Sequence, residues 1–333
     1  MRVGRGSGFV GGAGLLGGHN RLTHGPTIGC VIDIPDALIA TRSKYSGETG
    51  RAFLAALPGL ADRFLGEWGL RPDGAAMHGM CALVLPVVRA SDGRRAALKL
   101  QAADEETAGE PVALRAWGEA GAGAVGLLGH DAGTGTMLLE RLDERRPLSA
   151  VADERTAVEV LAGLLARLTS VPAPDGLRRL GDAVERMLDG VERAVAGLAD
   201  AEERRLLVDC AAAVREVAGE PGDRLLHWDL HYDNVLAGRA EEGRAHEWVA
   251  LDPKPLAGDP GFDLMPALHN RFDASTVRWR FDLMTEALGL DRERARAWTL
   301  GRALQNSIWD VTDGESRLGP EQAEIARQLL GRG

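Results

Sequence analysis

Apolar positions change their period part of the way along this chain. Leu60, Phe64, Leu65 and Trp68 recur at helical spacing, and Gly69 stands where a left-handed cap would end the helix. Two nearly continuous apolar runs follow, residues 80–87 and 96–100, with Ser91-Asp92-Gly93 between them. Runs of that length around turn residues predict a pair of strands. A helix is expected over residues 110–119, then short strands near 124–128 and 136–139. Beyond Arg145 the helical period dominates. Leu161, Leu164, Leu165 and Leu168 form one stripe, and Val184, Leu188, Val191 and Val195 form another. Val277, Phe281, Met284 and Leu288, then Leu304, Ile308 and Val311, carry it towards the end of the chain. This order predicts an α+β lobe over residues 32–140, built on a small antiparallel sheet, and a larger helical lobe over 141–333.

One stretch breaks the helical period, and it carries the chemistry. It reads Leu226-His227-Trp228-Asp229-Leu230-His231-Tyr232-Asp233-Asn234-Val235-Leu236. A second segment follows, Trp248-Val249-Ala250-Leu251-Asp252-Pro253-Lys254-Pro255, which reads as a buried strand stopped by Pro253. The residues between them are polar and turn-rich, so the two segments are expected to form a hairpin that brings Asn234 close to Asp252. His227, Asp229 and Asn234 fit the pattern H-x-D-x-x-x-x-N of the protein-kinase catalytic loop. In that pattern the Asp accepts the proton of the attacking hydroxyl and the Asn binds Mg²⁺. An amide oxygen and a carboxylate are a suitable protein share of a Mg²⁺ site, because that ion keeps waters and takes phosphate oxygens as its other ligands. The pattern points to phosphoryl transfer.

Composition narrows the partners. The net charge is −10, with the acidity concentrated over residues 101–250. Nucleic acid is an unsuitable partner for such a surface, whereas a cationic small molecule would be drawn to it. No apolar run reaches the roughly 18 residues that a membrane span requires. The three cysteines, Cys30, Cys81 and Cys210, are scattered and in no metal-binding spacing, so a reducing cytoplasm is expected. Ten glycines fall in the first 30 residues without an apolar period, so residues 1–31 read as a disordered extension, with Val31 a candidate for the native start.

Lysine is scarce, and its positions are therefore informative. Of 39 basic residues only Lys44, Lys99 and Lys254 are lysines. Lys99 stands within the second predicted strand, where a point-charge ammonium would meet nucleotide phosphates. Glu110 is the expected ion-pair partner on the following helix, with Glu105 and Glu106 as rivals. Glu140 and Leu142 mark the segment expected to offer backbone groups to adenine. His227 and Lys254 read as supports of the catalytic loop. Asp259, in the turn Gly258-Asp259-Pro260-Gly261-Phe262-Asp263, is expected to supply buried hydrogen bonds to that loop. Trp309 and Asp310 are candidate substrate contacts.

On these residues the chain resembles the aminoglycoside/hydroxyurea phosphotransferase family and, within it, the streptomycin 6-phosphotransferases. The specific part is His227 to Asn234 together with Leu251-Asp252-Pro253-Lys254-Pro255 and Gly258-Asp259-Pro260. Asn270-Arg271, the segment 288–294 and Trp309 corroborate it. The resemblance implies a bilobal protein-kinase-like fold, ATP and Mg²⁺ as cofactors, and a hydroxyl of a streptomycin-type aminoglycoside as acceptor, with antibiotic resistance as the outcome. It also implies Asp229 as base, Asn234 and Asp252 as metal ligands, and Lys99 as phosphate anchor. Family members often carry Gly where Trp228 stands, and Met77-His78-Gly79-Met80 replaces a G-x-G-x-x-G loop. The rival readings are a kinase for an amino sugar, hydroxyurea or a similar metabolite on the same fold, and a nucleotide-binding pseudokinase.

Overall fold

The computed structural model describes residues 32–102, 104–239 and 246–331; the glycine-rich stretch 1–31 lies outside them. The chain divides into two compact units. Of the described residues, 32–102 and 129–139 form the first, and 104–128, 140–239 and 246–331 form the second.

The first unit opens with α1 (Asp36–Glu67), which is kinked at Gly47, where φ is +53°. Strands β1 (Leu70–Pro72), β2 (Met77–His78), β3 (Ala82–Arg89), β4 (Arg95–Gln101), β5 (Leu127–Asp131) and β6 (Thr136–Glu140) form a sheet in the order β1-β3-β4-β6-β5, with β2 on the side of β3. β3 and β4 pair antiparallel from Ala82↔Gln101 to Val88↔Arg95. Gly93, with φ +71°, closes the turn between them, and Asp92 accepts hydrogen bonds from the Arg94 backbone and the Arg89 guanidinium. Leu83, Leu85, Leu98 and Leu100 point into one core with Leu57, Ala61 and Phe64 of α1. The two-residue period therefore puts Lys99 on the opposite face of β4, buried at 3 % exposure and level with Val84.

The second unit holds α2 (Glu110–Ala120), β7 (Asp143–Pro147), α3 (Glu154–Thr169), β8 (Arg178–Arg179), α4 (Leu180–Gly197), α5 (Ala201–Val217), β9 (Arg224–Leu226), β10 (Val235–Ala237), β11 (Trp248–Ala250), β12 (Leu256–Gly258), α6 (Met265–His269), α7 (Val277–Leu288), α8 (Arg292–Thr312) and α9 (Pro320–Leu329). Its strands make two small sheets, ordered β11-β10-β7 and β8-β12-β9. The single strand expected near 124–128 splits in two. Val125 donates to the Ala250 carbonyl and Ala250 to the Gly123 carbonyl, so this segment pairs with β11, while β5 begins only at Leu127 and joins the sheet of the first unit. Glycines at 121, 123 and 126 interrupt the run, and each part finds a different partner.

Helix α8 is the spine of this unit. Its residues Ala297, Trp298, Leu300, Gly301 and Leu304 are buried. The turn Pro260–Asp263 lies directly on α8, and a Cβ placed on Gly261 would come within 2.8 Å of the Ala295 Cα. Thr299 Oγ1 also bonds the Gly261 carbonyl at 3.0 Å. No helix of the described residues is long and apolar enough to cross a membrane. Because the atom opposing Gly261 is backbone and cannot rotate away, Gly261→Ala should cost about 1–3 kcal/mol through overpacking, read as a lower urea midpoint with an unchanged m-value.

Candidate functional site

The site is built where β9 ends. From His227 to His231 the chain leaves regular structure, makes one 3-10 turn at Tyr232–Asn234, and enters β10. A single buried carboxylate shapes that path. Asp263, fully buried, accepts the backbone N–H of His227 at 2.8 Å and that of Trp228 at 2.6 Å. Two successive amides can converge on one carboxylate only if the backbone curls, and Trp228 does so with φ +65°. Left-handed backbone at a tryptophan stores of order 1 kcal/mol of strain. Burial pushes the Asp263 carboxyl up to about 7, against the pull of both amides and of Arg302.

His227 is held by three contacts. Its Nε2 lies 3.1 Å from the Leu251 carbonyl, which can only accept, so Nε2 carries the hydrogen and Nδ1 is free to accept the Asp229 N–H at 3.4 Å. The ring stacks on Trp117 with centroids 6.0 Å apart. Burial lowers its pKa to about 4, so it is neutral at physiological pH and ties the loop to the end of β11.

Asp229 itself is 6 % exposed. Burial alone would raise its pKa, but the Lys254 ammonium, 2.8 Å from Oδ2, outweighs that and holds the carboxyl below its usual range. For Lys254 the same balance runs the other way: burial would lower its pKa, and Asp229 raises it instead. Asn234 donates its amide hydrogen to the Asp229 carbonyl at 2.9 Å. Since that carbonyl can only accept, the side-chain oxygen of Asn234 is the atom turned away. β10 and β11 pair with Val235↔Ala250, and the ladder extends by one bond from the Leu251 N–H to the Asn234 carbonyl at 3.0 Å. Asp252 follows at once, with φ +58°. The hairpin therefore brings the Asn234 oxygen and the Asp252 carboxylate to neighbouring rungs. This oxygen pair suits an ion that shares its shell with water and phosphate. Among the described residues no cluster of three or more His, Cys, Asp or Glu is placed to hold a metal by itself.

Further residues brace this arrangement. Arg280, fully buried, donates to Tyr232 Oη at 2.9 Å and to the carbonyls of Ala267, Asn270 and Arg271. Asn270 donates to Asp233 Oδ2 at 3.0 Å. Two guanidinium groups approach the Trp228 ring, Arg178 at 4.2 Å and Arg302 at 4.7 Å from its centroid. Trp309 stands 6.1 Å from Trp228, with Arg302 over its ring too, so this residue lies beside the loop 227–234. Asp310, half-buried, is the next residue of α8.

The remaining expected residues are placed as follows. Lys99 is on β4 of the first unit, and Glu110 opens α2 of the second, fully buried. Glu140 ends β6 and accepts the Gly126 N–H at 3.0 Å, and Leu142 is buried just after it. The hydrogen bonds to the loop that the sequence suggested for Asp259 come from Asp263 instead. Asp259 caps its own turn, accepting the Gly261 N–H at 2.8 Å, and pairs with Arg294 at 2.7 Å. Glu106, one of the rivals to Glu110, lies close enough to Lys254, Arg178 and Arg302 for their charges to act on its carboxyl. Sequence reasoning also missed Asp263, Arg178 and Arg302.

Comparison with known proteins gives the family and the fold. The family model described as "Aminoglycoside/hydroxyurea antibiotic resistance kinase" matches residues 67–314. The chain is 61% identical to the hydroxyurea phosphotransferase of Kitasatospora aureofaciens, over 92% of this chain and 88% of that protein. It is 54% identical to the streptomycin 6-kinase of Streptomyces glaucescens, over 90% and 98%. Among solved structures, a thermostable mutant of the aminoglycoside phosphotransferase APH(4)-Ia, in ternary complex with ADP and hygromycin B, superposes with TM-score 0.57 at 13% identity, covering 81% of this chain and 97% of that one. A choline/ethanolamine kinase family protein from Mesorhizobium loti gives TM-score 0.53 at 19% identity, covering 86% and 92%. These distant likenesses establish the fold, which is protein-kinase-like.

Two outcomes follow from the bracing. His227 stays neutral when folded but protonates below about 6.5 when unfolded, so its contribution is complete above pH 6.5 and is lost as pH falls towards 4, by on the order of 3 kcal/mol. His227→Gln should flatten that limb of stability against pH, measured by urea denaturation. Asp263→Asn leaves one loop amide facing an NH₂ group, and should cost about 1–3 kcal/mol and open the stretch 227–234 to limited proteolysis.

Proposed function

The chain belongs to the aminoglycoside/hydroxyurea antibiotic resistance kinase family, and from that membership we propose that it transfers the γ-phosphoryl group of ATP to a hydroxyl of a streptomycin-type aminoglycoside. The observation that carries the reading is Asp229: a buried, ionised carboxylate with one oxygen committed to Lys254, placed five residues before Asn234 and beside the hairpin that presents Asp252.

In this reading the acceptor hydroxyl donates to Asp229. Its oxygen forms a bond to the γ-phosphorus while the bond from that phosphorus to the β–γ bridging oxygen breaks. The hydroxyl proton passes to Asp229, and ADP leaves with the bonding pair. The side-chain oxygen of Asn234 and the carboxylate of Asp252 would hold Mg²⁺, which supplies charge neutralisation at the phosphates when bound. Lys99 serves as the phosphate anchor, and the backbone at Glu140 and Leu142 receives adenine. Trp309 and Asp310 contact the acceptor. The acidity of residues 101–250 draws in a guanidino-cyclitol cation. Phosphorylation then reduces the positive charge of the drug, in the cytoplasm where its target lies.

A second acceptor is favoured by a specific observation, the 61% identity to a hydroxyurea phosphotransferase. The same carboxylate serves an N-hydroxyl equally well. The test is ADP release by purified protein with ATP and Mg²⁺, across streptomycin, other aminoglycosides, hydroxyurea and amino sugars. Streptomycin-dependent turnover is expected, falling about 10²–10⁴-fold in Asp229→Asn while ATP binding persists. Turnover on hydroxyurea alone would move the assignment to the second acceptor. An Asp229→Asn variant at full rate would overturn the mechanism.

A further inference from the structure

Lys254 is held with unusual thoroughness for a side chain that the reaction above does not use. Its N–H donates to the His227 carbonyl at 3.0 Å, and its own carbonyl accepts from Arg178 at 3.1 Å. Pro253 and Pro255 fix φ on either side of it. The segment is also packed from without. A Cβ placed on Gly109 would meet the Leu177 side chain at 2.8 Å and Pro255 at 3.1 Å, so the turn carrying Glu106 is seated on the residues next to Arg178 and Lys254. From this fixed backbone the ammonium reaches a single atom of the base, Asp229 Oδ2, at 2.8 Å.

We infer that Lys254 is a positioning residue for the transfer: its ammonium occupies Oδ2 of Asp229, so that Oδ1 alone is presented to the acceptor hydroxyl. The inference rests on the reading of Asp229 as base and assigns the geometry of that base. A carboxylate has two equivalent oxygens and a soft terminal torsion, whereas a base must place one lone pair within about 2.6–3.2 Å of the proton it takes. Fixing one oxygen removes that freedom. The residue type matters here, because the chain uses arginine for nearly every other positive charge. A guanidinium would bind the carboxylate as a fork and take both oxygens, whereas an ammonium is a point donor and takes one. A lysine at 254 leaves Oδ1 open, and an arginine there would close it.

Two explanations thus part at one substitution. If Lys254 only balances the charge of Asp229, Arg restores function; if it assigns the oxygens, Arg keeps the protein folded and fails in catalysis. The experiment is steady-state ADP release for wild type, Lys254→Arg, Lys254→Met and Asp229→Asn, with nucleotide binding and thermal midpoint measured beside it. We expect Lys254→Arg to keep its midpoint and its nucleotide affinity, with kcat reduced roughly 100-fold and acceptor KM within about 3-fold. Lys254→Met should also lose kcat. A kcat for Lys254→Arg within about 3-fold of wild type would overturn the inference and leave Lys254 a counter-ion. Should Lys254→Arg fail to fold, Lys254→Ala with added small amines decides: kcat rising with propylammonium but not with propylguanidinium supports the assignment, and equal rescue by both overturns it. Asp229→Asn separates the two layers, since full turnover there removes the base itself, whatever Lys254 does.

Discussion

Two backbone amides, those of His227 and Trp228, close on the Asp263 carboxylate, and most of the site geometry depends on that closure. It forces Trp228 into left-handed backbone. With the curl in place, the N–H of Asp229 falls to His227 Nδ1 and its carbonyl to the Asn234 side chain. Those two bonds fix the residue that carries the carboxylate. Asp263 in turn lies in a turn packed on α8 so closely that only glycine fits at 261. The loop therefore takes its shape from the helical core through one side chain, and a change in the α8 packing would reach the site by that route.

The charges around Asp229 follow the logic of a desolvated cluster. Asp229, Asp263 and Glu106 are set among Lys254, Arg178 and Arg302, and none of them is fully exposed. Burial pulls Arg302 down to about 10 even with three carboxylates acting on it. Replacing such a cluster with apolar side chains is often neutral or stabilising, while removing one member leaves an uncompensated charge and is strongly destabilising. Stability alone is thus a weak reason for keeping six charged groups here. Their arrangement around Asp229, the carboxylate proposed as base, is the stronger one.

How much of this the sequence disclosed depends on the range of each interaction. The loop 227–234 and the Asp252 segment were legible because their signal lies in local spacing: a hairpin is expected to bring Asn234 close to Asp252, and the structure pairs Val235 with Ala250 next to both. Asp263, Arg178 and Arg302 were not legible, since each reaches the loop by tertiary packing across 35 or more residues. One local signal was available. In Asp259-Pro260-Gly261 the first residue stands at an N-cap position before proline, where its side chain is taken up by the Gly261 N–H of its own turn. That leaves Asp263, the second acid of the segment, to reach the loop. The front half of α1 was missed for a physical reason as well: Gly47, Gly50 and Pro58 disrupt the periodic signal, and the structure shows a real kink at the first of them.

The tryptophan at 228 tests the balance between strain and packing. Glycine would adopt φ +65° without penalty, and its absence needs a compensating gain. The indole ring is met by the guanidinium groups of Arg178 and Arg302 and by the tilted ring of Trp309. Cation–π contacts contribute about 0.5–1 kcal/mol when exposed and about 2 kcal/mol when desolvated. Two of them at a buried position exceed the roughly 1 kcal/mol stored in the backbone. They also do what glycine could not, giving a buried guanidinium at 302 a polarisable surface in place of water. The residue that strains the loop is therefore the one that makes the buried Arg302 tolerable. With Trp228 in place, Arg302 can stand near Asp229 without forming an ion pair with it, and the direct contact with the carboxylate is left to Lys254.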